Sequence, residues 1–361
     1  MITKRDIVTI ATTLGLTPHV VEKDWALGWV LAGIAAHPET RDTWVFKGGT
    51  CLNWIYERSG LELPSDSRNF DIYDSPRGAR NCQGKLGYRG PLASRAGGLP
   101  RIKLDLTADE KIVLTPARFS VFHPYSDSAD VEFEALAYSY EEAFAEKVRA
   151  LAERTRPRDL YDVVNLFRNN KARPSAPALL NVLAQKCAFK KIPVPALEHL
   201  ESHKDGLAGS WDSMLKHQLP ALPEMKAYWD VLPDFFDWLR TGSSPEEPLS
   251  YVLAAGEHVV YEHTLRLPLR AAIQAHLEII RFCAASRLYV LLTYGGKTMT
   301  IEPYSLRRTR GGDFLLHAWN VDANEHRSYR LDRIEGASMT SQTFTPRYLI
   351  ELTPEGPFSV K

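Results

Sequence analysis

The chain has few cysteines, no long apolar run and no excess charge of either sign. Its four cysteines are scattered, with no CxxC pair and no histidine at the spacing of a zinc ligand; they are Cys51, Cys82, Cys187 and Cys283. This pattern predicts neither a disulfide framework nor a structural metal site. No segment approaches the ~18 apolar residues of a membrane span, and the N-terminus lacks the layout of a signal peptide. We therefore expect a cytoplasmic protein with no membrane partner.

The charge balance and the length limit the classes of partner and the number of domains. The 44 basic residues equal the 44 acidic residues, so no global field attracts nucleic acid, and any such binding needs a local patch. With 361 residues, 44% of them hydrophobic, the chain predicts about two or three packed domains. "TGSSPEEP", residues 241–248, has linker composition and marks the main predicted boundary.

Hydrophobic periodicity predicts helices and strands on both sides of this boundary. Residues 17–37 have helical periodicity, "TWVFKGG" reads as a short buried strand, and "RIKLDLT" reads as a clear strand. Residues 139–170 predict two helices broken at Pro157, and residues 171–239 are helical in character. Beyond the boundary a helix precedes the strands "LYVLLTY", "MTIEPYSL", "DFLLHAW" and "RSYRLDRI". Short strands at this spacing predict a small barrel.

The stretch "FKGGTCLNWIY" places Gly48, Gly49 and Thr50 before an apolar run. One interpretation is a tight turn that leads into a helix, because glycine tolerates backbone angles that other residues avoid. The other is a phosphate cradle, because backbone amides at a helix N-terminus favour negative charge and glycine permits close approach. The motif alone favours the turn.

Three charged residues stand out for their positions. In "RIKLDLT", Asp105 points away from the face of the strand that is apolar, which a solvated sheet face explains equally well. Lys147 falls within about 60° of the centre of a helical apolar stripe. In one interpretation its aliphatic stem packs on the stripe while the ammonium reaches water; in the other the lysine has a functional role. Asp159 lies in the first turn after Pro157, where the helix dipole alone favours a carboxylate.

Five blocks in order carry a resemblance: "VEKDW", "FKGGTCL", "PRIKLDLT", "EEAFAEKVRAL" and "RPRDLYDV". Over residues 17–170 the chain resembles the AbiEii/AbiGii abortive-infection nucleotidyltransferase toxins, a family that includes the MenT toxins. The resemblance implies an α+β architecture, with a polymerase-beta-type nucleotidyltransferase fold and a helical bundle. It also implies Mg²⁺, a nucleoside triphosphate (NTP), a cognate antitoxin, and transfer of a nucleotide to the 3′ end of a tRNA.

The resemblance assigns roles to single residues. Gly48, Gly49 and Thr50 would line the triphosphate, Lys147 would contact its phosphates, and Asp159 would support the catalytic centre. Asp105 matches the position of a metal-binding carboxylate. The metal ions of such enzymes polarise the α-phosphate and activate the attacking hydroxyl.

The chain departs from the family at the paired carboxylates that follow the glycines. Relatives place two carboxylates at i and i+2 on one strand, and no Asp-x-Asp follows "GGTCL" here. The nearest substitute is Asp71 and Asp74 in "FDIYD", as ligands of the same metal. Their spacing of three puts them on opposite faces of a regular strand, so a shared metal ion needs a bulge or turn. Surface or structural roles for both residues fit the sequence as well.

Residues 271–350 resemble WYL domains, small Sm/SH3-like β-barrels that sense ligands, often nucleic acid. The specific parts are "EPYSL" and "RSYRLDRI", while Asp313, Phe314 and Leu315 stand where the Trp-Tyr-Leu triad would be. Six arginines are candidate nucleic-acid contacts: Arg307, Arg308, Arg310, Arg327, Arg330 and Arg333. With Tyr304, Trp319 and Tyr329 they form either a phosphate-and-base platform or a solvated face with ordinary ion pairs.

The sequence thus predicts a nucleotidyltransferase-like domain (1–170), a helical region (171–240), a linker (241–248) and a WYL-like barrel (249–361). Two functions remain open. The first is a toxin of a toxin–antitoxin or abortive-infection phage defence system that transfers a nucleotide from an NTP to RNA. The second is a non-catalytic protein that binds or senses nucleic acid or a nucleotide through the WYL-like barrel.

Overall fold

The computed structural model describes residues 2–47, 70–74, 80–93, 99–107, 109–121, 123–127, 133–169, 172–216, 219, 222–243, 249–250 and 254–352, with residues 70–74 and 80–82 described for their backbone. The helices are α1 (Lys4–Leu14), α2 (Pro18–Ala36), α3 (Tyr140–Arg154), α4 (Pro157–Arg168), α5 (Ala176–Lys190), α6 (Leu197–Glu201), α7 (Lys204–Leu215), α8 (Met225–Trp229), α9 (Leu232–Thr241) and α10 (Ala271–Ser286). The strands are β1 (Phe70–Asp74), β2 (Arg80–Gly87), β3 (Arg101–Thr107), β4 (Ala117–Ser120), β5 (Glu134–Ala137), β6 (His258–Val259), β7 (Leu288–Tyr294), β8 (Lys297–Arg308), β9 (Phe314–Asn320), β10 (Glu325–Arg330) and β11 (Ile334–Thr343).

Two small antiparallel sheets precede the helical bundle. One has the strand order β1-β2-β3, and the other is the pair β4-β5. β3 coincides with the predicted strand "RIKLDLT". The predicted strand "TWVFKGG" is limited, among its described residues, to one parallel bridge between Phe46 and Ala137. Residues 46 and 47 therefore lie beside β5.

The break between α3 and α4 has a local cause. The Ser139 hydroxyl caps α3 by accepting a hydrogen bond from the Glu142 amide, and α3 ends at Thr155, whose backbone is left-handed at φ 47°. Pro157 then occupies the first turn of α4, where a missing amide proton costs nothing. The break predicted at Pro157 is confirmed.

Helices α3 to α9 share one core that is rich in aromatic side chains. The core extends from Tyr140 on α3 to Leu239 on α9, so it joins both sides of residue 170. Phe144 of α3 stacks on Phe235 and Trp238 of α9, with ring centroids 5.8 and 6.4 Å apart. These contacts fix α3, and with it Lys147, against the bundle.

The C-terminal region is an antiparallel sheet with the strand order β10-β9-β8-β7-β11, and β6 also pairs with β8. The predicted small barrel is not closed: within residues 254–352 the edge strands β10 and β11 do not pair with each other. The predicted strand "RSYRLDRI" ends at Arg330, and a short 3₁₀ turn leads into β11. Helix α10 packs on the open sheet and buries Leu277, Ile280 and Ala284 in its core.

The two regions of the chain are in contact. Helix α1 of the first region packs against α10 of the second. In the part of the chain that is described, no helix is both long and apolar enough to cross a membrane.

Candidate functional site

Lys147 is held between two carboxylates of α4. Its ammonium lies 2.5 Å from Asp162 Oδ2 and 3.9 Å from Asp159 Oδ1, and only 9% of its side chain is exposed. The Lys147 ammonium therefore ends in ion pairs. It does not reach bulk water, contrary to one of the two interpretations of its position. The partners that the structure shows for the Lys147 ammonium are therefore the two carboxylates of α4.

Asp159 has a second, stronger partner. Arg154, the last residue of α3, donates from Nε and Nη2 to the two oxygens of Asp159 at 2.7 and 2.8 Å. This bidentate geometry fixes the Asp159 carboxylate, which is 1% exposed, in the first turn of α4. Asp159 thus links the end of α3 to the start of α4 and sets the approach of the two helices.

Asp162 is the residue of this centre that sequence reasoning missed. It contacts Lys147 more closely than Asp159 does. Burial raises the pKa of Asp162, and the Lys147 ammonium only partly offsets that effect. The spacing in "RPRDLYDV" carried the signal, because residues at i and i+3 lie on one face of a helix.

Asp105 lies on a different element. It is exposed on β3 and accepts a hydrogen bond from Gln83 Nε2 at 2.6 Å. The register places Asp71 opposite Gln83 and Gln83 opposite Asp105, so Asp71 and Asp105 occupy one cross-strand row. Their Cα atoms are two strands apart, about 10 Å.

Asp74 is three residues along β1 from Asp71, and the register of β1 with β2 shows no shift between them. The bulge that would let these two residues share one metal ion is thus not present in the described strand. The side chains of Asp71 and Asp74 are outside the described part, as are Gly48, Gly49 and Thr50.

The described donors by themselves do not make a magnesium site. No group of three or more His, Cys, Asp or Glu residues in the described ranges is arranged to hold a metal ion. Asp105 offers one carboxylate whose described partner is an amide, whereas Mg²⁺ requires six oxygen ligands at about 2.0–2.1 Å. We therefore assign no chemical step to a metal ion in this structure.

Lys47, the residue before the glycines, is anchored in a buried charge cluster. Its ammonium lies 3.2 Å from Glu110 Oε2 and 3.9 Å from Glu146 Oε1. Burial opposes the charge on Lys47, but the two glutamates outweigh it and raise its pKa. Glu146 directly precedes Lys147 on α3. Sequence reasoning did not identify Lys47 or Glu110, which pair across 63 residues.

The six arginines of the C-terminal region fall into three environments. Arg307 is fully buried, with Nη1 3.4 Å from Glu257 and Nη2 3.5 Å from Glu351. Arg327 and Arg330 pair with acidic side chains at the surface, Arg327 with Glu325 and Arg330 with both Asp313 and Asp332. The exposed arginines of the set with no ion pair to a described carboxylate are Arg308, Arg310 and Arg333.

The aromatic part of the predicted platform needs correction. Tyr304 and Tyr329 are 0% and 3% exposed. Tyr329 packs in the hydrophobic core of the sheet, and Tyr304 packs edge-on against Phe344 and Tyr348. Neither can stack on a base while the sheet is folded. Trp319 is half-buried, and the Arg347 guanidinium lies 4.8 Å from its ring centroid.

Comparison with protein families agrees with both resemblances. Residues 70–241 match the family model "Nucleotidyl transferase AbiEii toxin, Type IV TA system". Residues 275–339 match the WYL domain model. No curated protein and no solved structure matches the chain.

The first match contains β1 to β5 and α3 to α9, and hence Asp71, Asp105, Lys147, Asp159 and Asp162. It does not reach "VEKDW" or "FKGGTCL". Nucleotidyltransferases of this kind generally use a divalent metal ion and an NTP, and toxins of this kind are typically paired with an antitoxin. The chain therefore has a region, residues 70–241, that is similar to the AbiEii nucleotidyltransferase toxins, followed by a region that matches the WYL domain.

Proposed function

We propose that the protein is the toxin of a toxin–antitoxin or abortive-infection system and transfers a nucleotide from an NTP to an RNA 3′ end, with tRNA as the acceptor. The observation that carries this proposal is the buried Lys147 ammonium between Asp159 and Asp162, inside the region that matches the AbiEii family. A cognate antitoxin would be its partner.

The residues of this centre have different tasks in the proposal. Lys147 binds phosphate oxygens of the triphosphate, and it exchanges its contact with Asp162 for them. Asp159 stays paired with Arg154 and keeps α3 and α4 in place during that exchange. The elevated pKa of Asp162 lowers the cost of releasing Lys147, because the carboxyl takes up a proton more readily than an exposed one.

Asp105 and Asp71, which occupy one cross-strand row, would hold Mg²⁺, and Gly48, Gly49 and Thr50 would line the triphosphate. Asp74 is three residues from Asp71 in a strand with no bulge, so it is not proposed as a ligand of the same metal ion. When bound, a divalent metal ion neutralises phosphate charge and lowers the pKa of the attacking hydroxyl. The chain's own part is to hold the triphosphate through Lys147 and to present the carboxylates of the β1-β2-β3 sheet to it.

The test is transfer of label from each NTP, supplied separately with Mg²⁺, to total bacterial RNA and to purified tRNA. We expect transfer by the wild type and a loss of at least about 100-fold in Lys147→Ala and in Asp105→Ala. Lys226→Ala is the matched control, because Lys226 is an exposed lysine of the same bundle that pairs only with Asp230 among the described side chains. Transfer that persists in both site variants, or no transfer by the wild type with any NTP, would contradict the proposal.

A second candidate function is non-catalytic binding of nucleic acid or a nucleotide by the WYL domain. It is favoured by the exposed Arg308, Arg310 and Arg333, which are open to phosphate. The test is the affinity for single-stranded RNA and DNA oligonucleotides of the wild type and of the triple Arg→Ala variant at several salt concentrations. Binding by these residues predicts a smaller salt slope in the variant, and equal slopes would reject it.

A further inference from the structure

A cluster of buried charges lies behind the Lys147 centre and is not part of it. Its acidic members are Asp109, Glu110, Glu142 and Glu146, and its basic members are Lys47, Arg149, Lys186 and Lys190. Lys186 is fully buried, 2.6 Å from Glu142, 3.6 Å from Glu146 and 3.9 Å from Glu110. Arg149 also pairs with Glu153, which is about one third exposed, so five acids face four bases and the close pairs among them let the cluster stay ionised.

Glu110 and Glu146 belong to different segments, and Lys47 bridges them. Glu110 follows β3, and its Oε2 receives both the Lys47 ammonium at 3.2 Å and the Arg149 guanidinium at 3.1 Å. Glu146 lies on α3, and its Oε1 is 3.9 Å from Lys47. Lys47 and Lys186 both reach the two carboxylates, and Lys47 makes the closer contact with Glu110, at 3.2 Å against 3.9 Å for Lys186.

The segment with Glu110 is tied to the end of β3. The Asp109 amide donates to Thr107 Oγ1 at 3.0 Å, and Thr107 is two residues from Asp105. A continuous series of contacts therefore runs from the Asp105 strand through Asp109 and Glu110 to Lys47 and Glu146. This series of contacts ends at Glu146, the residue next to Lys147 on α3.

Glu146 and Lys147 are neighbours on α3 and face different partners. Successive helical residues are 100° apart, so Glu146 meets the buried cluster while Lys147 meets Asp159 and Asp162. Burial disfavours the charge on Glu146, but Lys47, Lys186 and Arg149 outweigh it and hold its pKa at about 2. The Glu146 carboxylate is therefore ionised at neutral pH.

We propose that Lys47 is a positioning residue, which sets the β3 strand of Asp105 relative to the α3 helix of Lys147 by bridging Glu110 and Glu146. This inference rests on the proposed nucleotidyl transfer. Lys47 acts through the two glutamates and needs no contact with the NTP. Its loss should misalign the reacting groups while leaving the phosphate-binding Lys147 in place.

The test separates kcat from KM for NTP in labelled transfer, with Lys47→Met as the main variant. We expect kcat to fall by about 100-fold with KM within about threefold of the wild type, because sub-ångström misplacement affects alignment more than binding. In Lys147→Met, KM should rise, because that variant loses the phosphate contact itself. Lys47→Arg keeps a cation between the glutamates and should retain at least about a third of wild-type kcat.

The matched control is Lys111→Met. Lys111 lies on the same segment, but its ammonium donates to the neutral Gln185 at 3.1 Å. This variant should keep wild-type kcat and KM. Binding of a non-reactive NTP analogue, measured by calorimetry, checks that each variant binds about one equivalent, so that a fall in kcat does not reflect an unfolded fraction.

The possible outcomes separate the positioning role of Lys47 from the proposed nucleotidyl transfer. If the wild type transfers nucleotide and Lys47→Met keeps kcat within about threefold, the positioning role is wrong while the proposed function stands. If Lys47→Met and Lys47→Arg both lose analogue binding and thermal stability, Lys47 is a structural residue only, and the inference is overturned. If the wild type transfers nothing, the proposed function fails and this inference fails with it.

Discussion

The nucleotidyltransferase region and the WYL domain both bury titratable side chains, but one example is kept charged and the other neutral. In the first, Glu146 is kept ionised by Lys47, Lys186 and Arg149, and its pKa falls to about 2 despite burial. In the second, burial and the nearby Arg307 lower the pKa of His317 to about 4 and keep it neutral. The first region keeps Glu146 charged next to Lys147, whereas the second keeps His317 neutral beside the ion-paired Arg307.

This difference gives the two regions different acid sensitivity. The folded pKa of Glu146 lies below the unfolded value of about 4.5, so its contribution to stability is present above pH 4.5 and is lost as the pH falls towards 2. The folded pKa of His317 lies below its unfolded value of about 6.5, so its contribution is lost earlier, between pH 6.5 and 4. On acidification the WYL domain should weaken first.

The largest expected effect is that of removing a charge from the buried cluster. Lys186→Met should lower the free energy of unfolding of the helical bundle by about 3–5 kcal/mol, because Glu142 and Glu146 would keep buried charges without their shared cation. Urea unfolding followed by tryptophan fluorescence measures this. The exposed Lys226→Met should change stability by less than about 0.5 kcal/mol. A loss below about 1 kcal/mol in Lys186→Met would show that the cluster is not maintained by charge pairing.

A smaller effect should follow from the histidines of the WYL domain. His317 faces Arg307, Glu257 and His326. Because the unfolded chain takes up the proton of this histidine more readily, the free energy of unfolding of the domain should fall by about 2 kcal/mol between pH 7.5 and 5.0. His317→Gln should reduce the pH dependence of the domain by about that amount, and the remainder comes from His263 and His326, whose pKa values are also lowered to about 4. The exposed His258→Gln should leave the dependence unchanged. The measurement is urea unfolding at each pH, read by hydrogen exchange of β9 peptides. A dependence of the same size in His317→Gln would rule out this residue as the source.

The smallest effect concerns the surface pair Arg327 and Glu325, each about half exposed. Arg327→Ala should change the free energy of unfolding by less than about 1 kcal/mol, because water screens an exposed pair. Thermal melting measures it, with Arg307→Ala as the buried counterpart that should destabilise the domain much more. Equal effects of the two variants would remove the distinction between the surface and buried arginines.

Local features of the fold were predictable from the sequence. Proline placement and helical periodicity predicted α2 and the break at Pro157, and β7 coincides with "LYVLLTY". The open sheet was not predictable, because closure depends on whether α10 or a strand pairing covers the core. The single bridge of Phe46 likewise depends on the neighbouring β5.

The candidate site, like the fold, was predictable from the sequence only where it depends on local patterns. The position of Lys147 near an apolar stripe was visible in the sequence, and Asp162 could have been found from its i, i+3 spacing to Asp159. The Lys47 pairing with Glu110 and Glu146 joins residues 63 and 99 positions apart, so no local pattern indicates it. The burial of Arg307 depends on its pairing with Glu257 and Glu351, which lie outside β8.

The most direct test of nucleotidyl transfer at the Lys147 centre is the mass of a purified tRNA after incubation with the protein, Mg²⁺ and one NTP at a time. We predict that the wild type and Lys226→Met add one or more nucleoside monophosphates to the tRNA 3′ end, while Lys147→Met leaves its mass unchanged. An unchanged tRNA mass with the wild type for every NTP, or equal addition by Lys147→Met, would contradict this account.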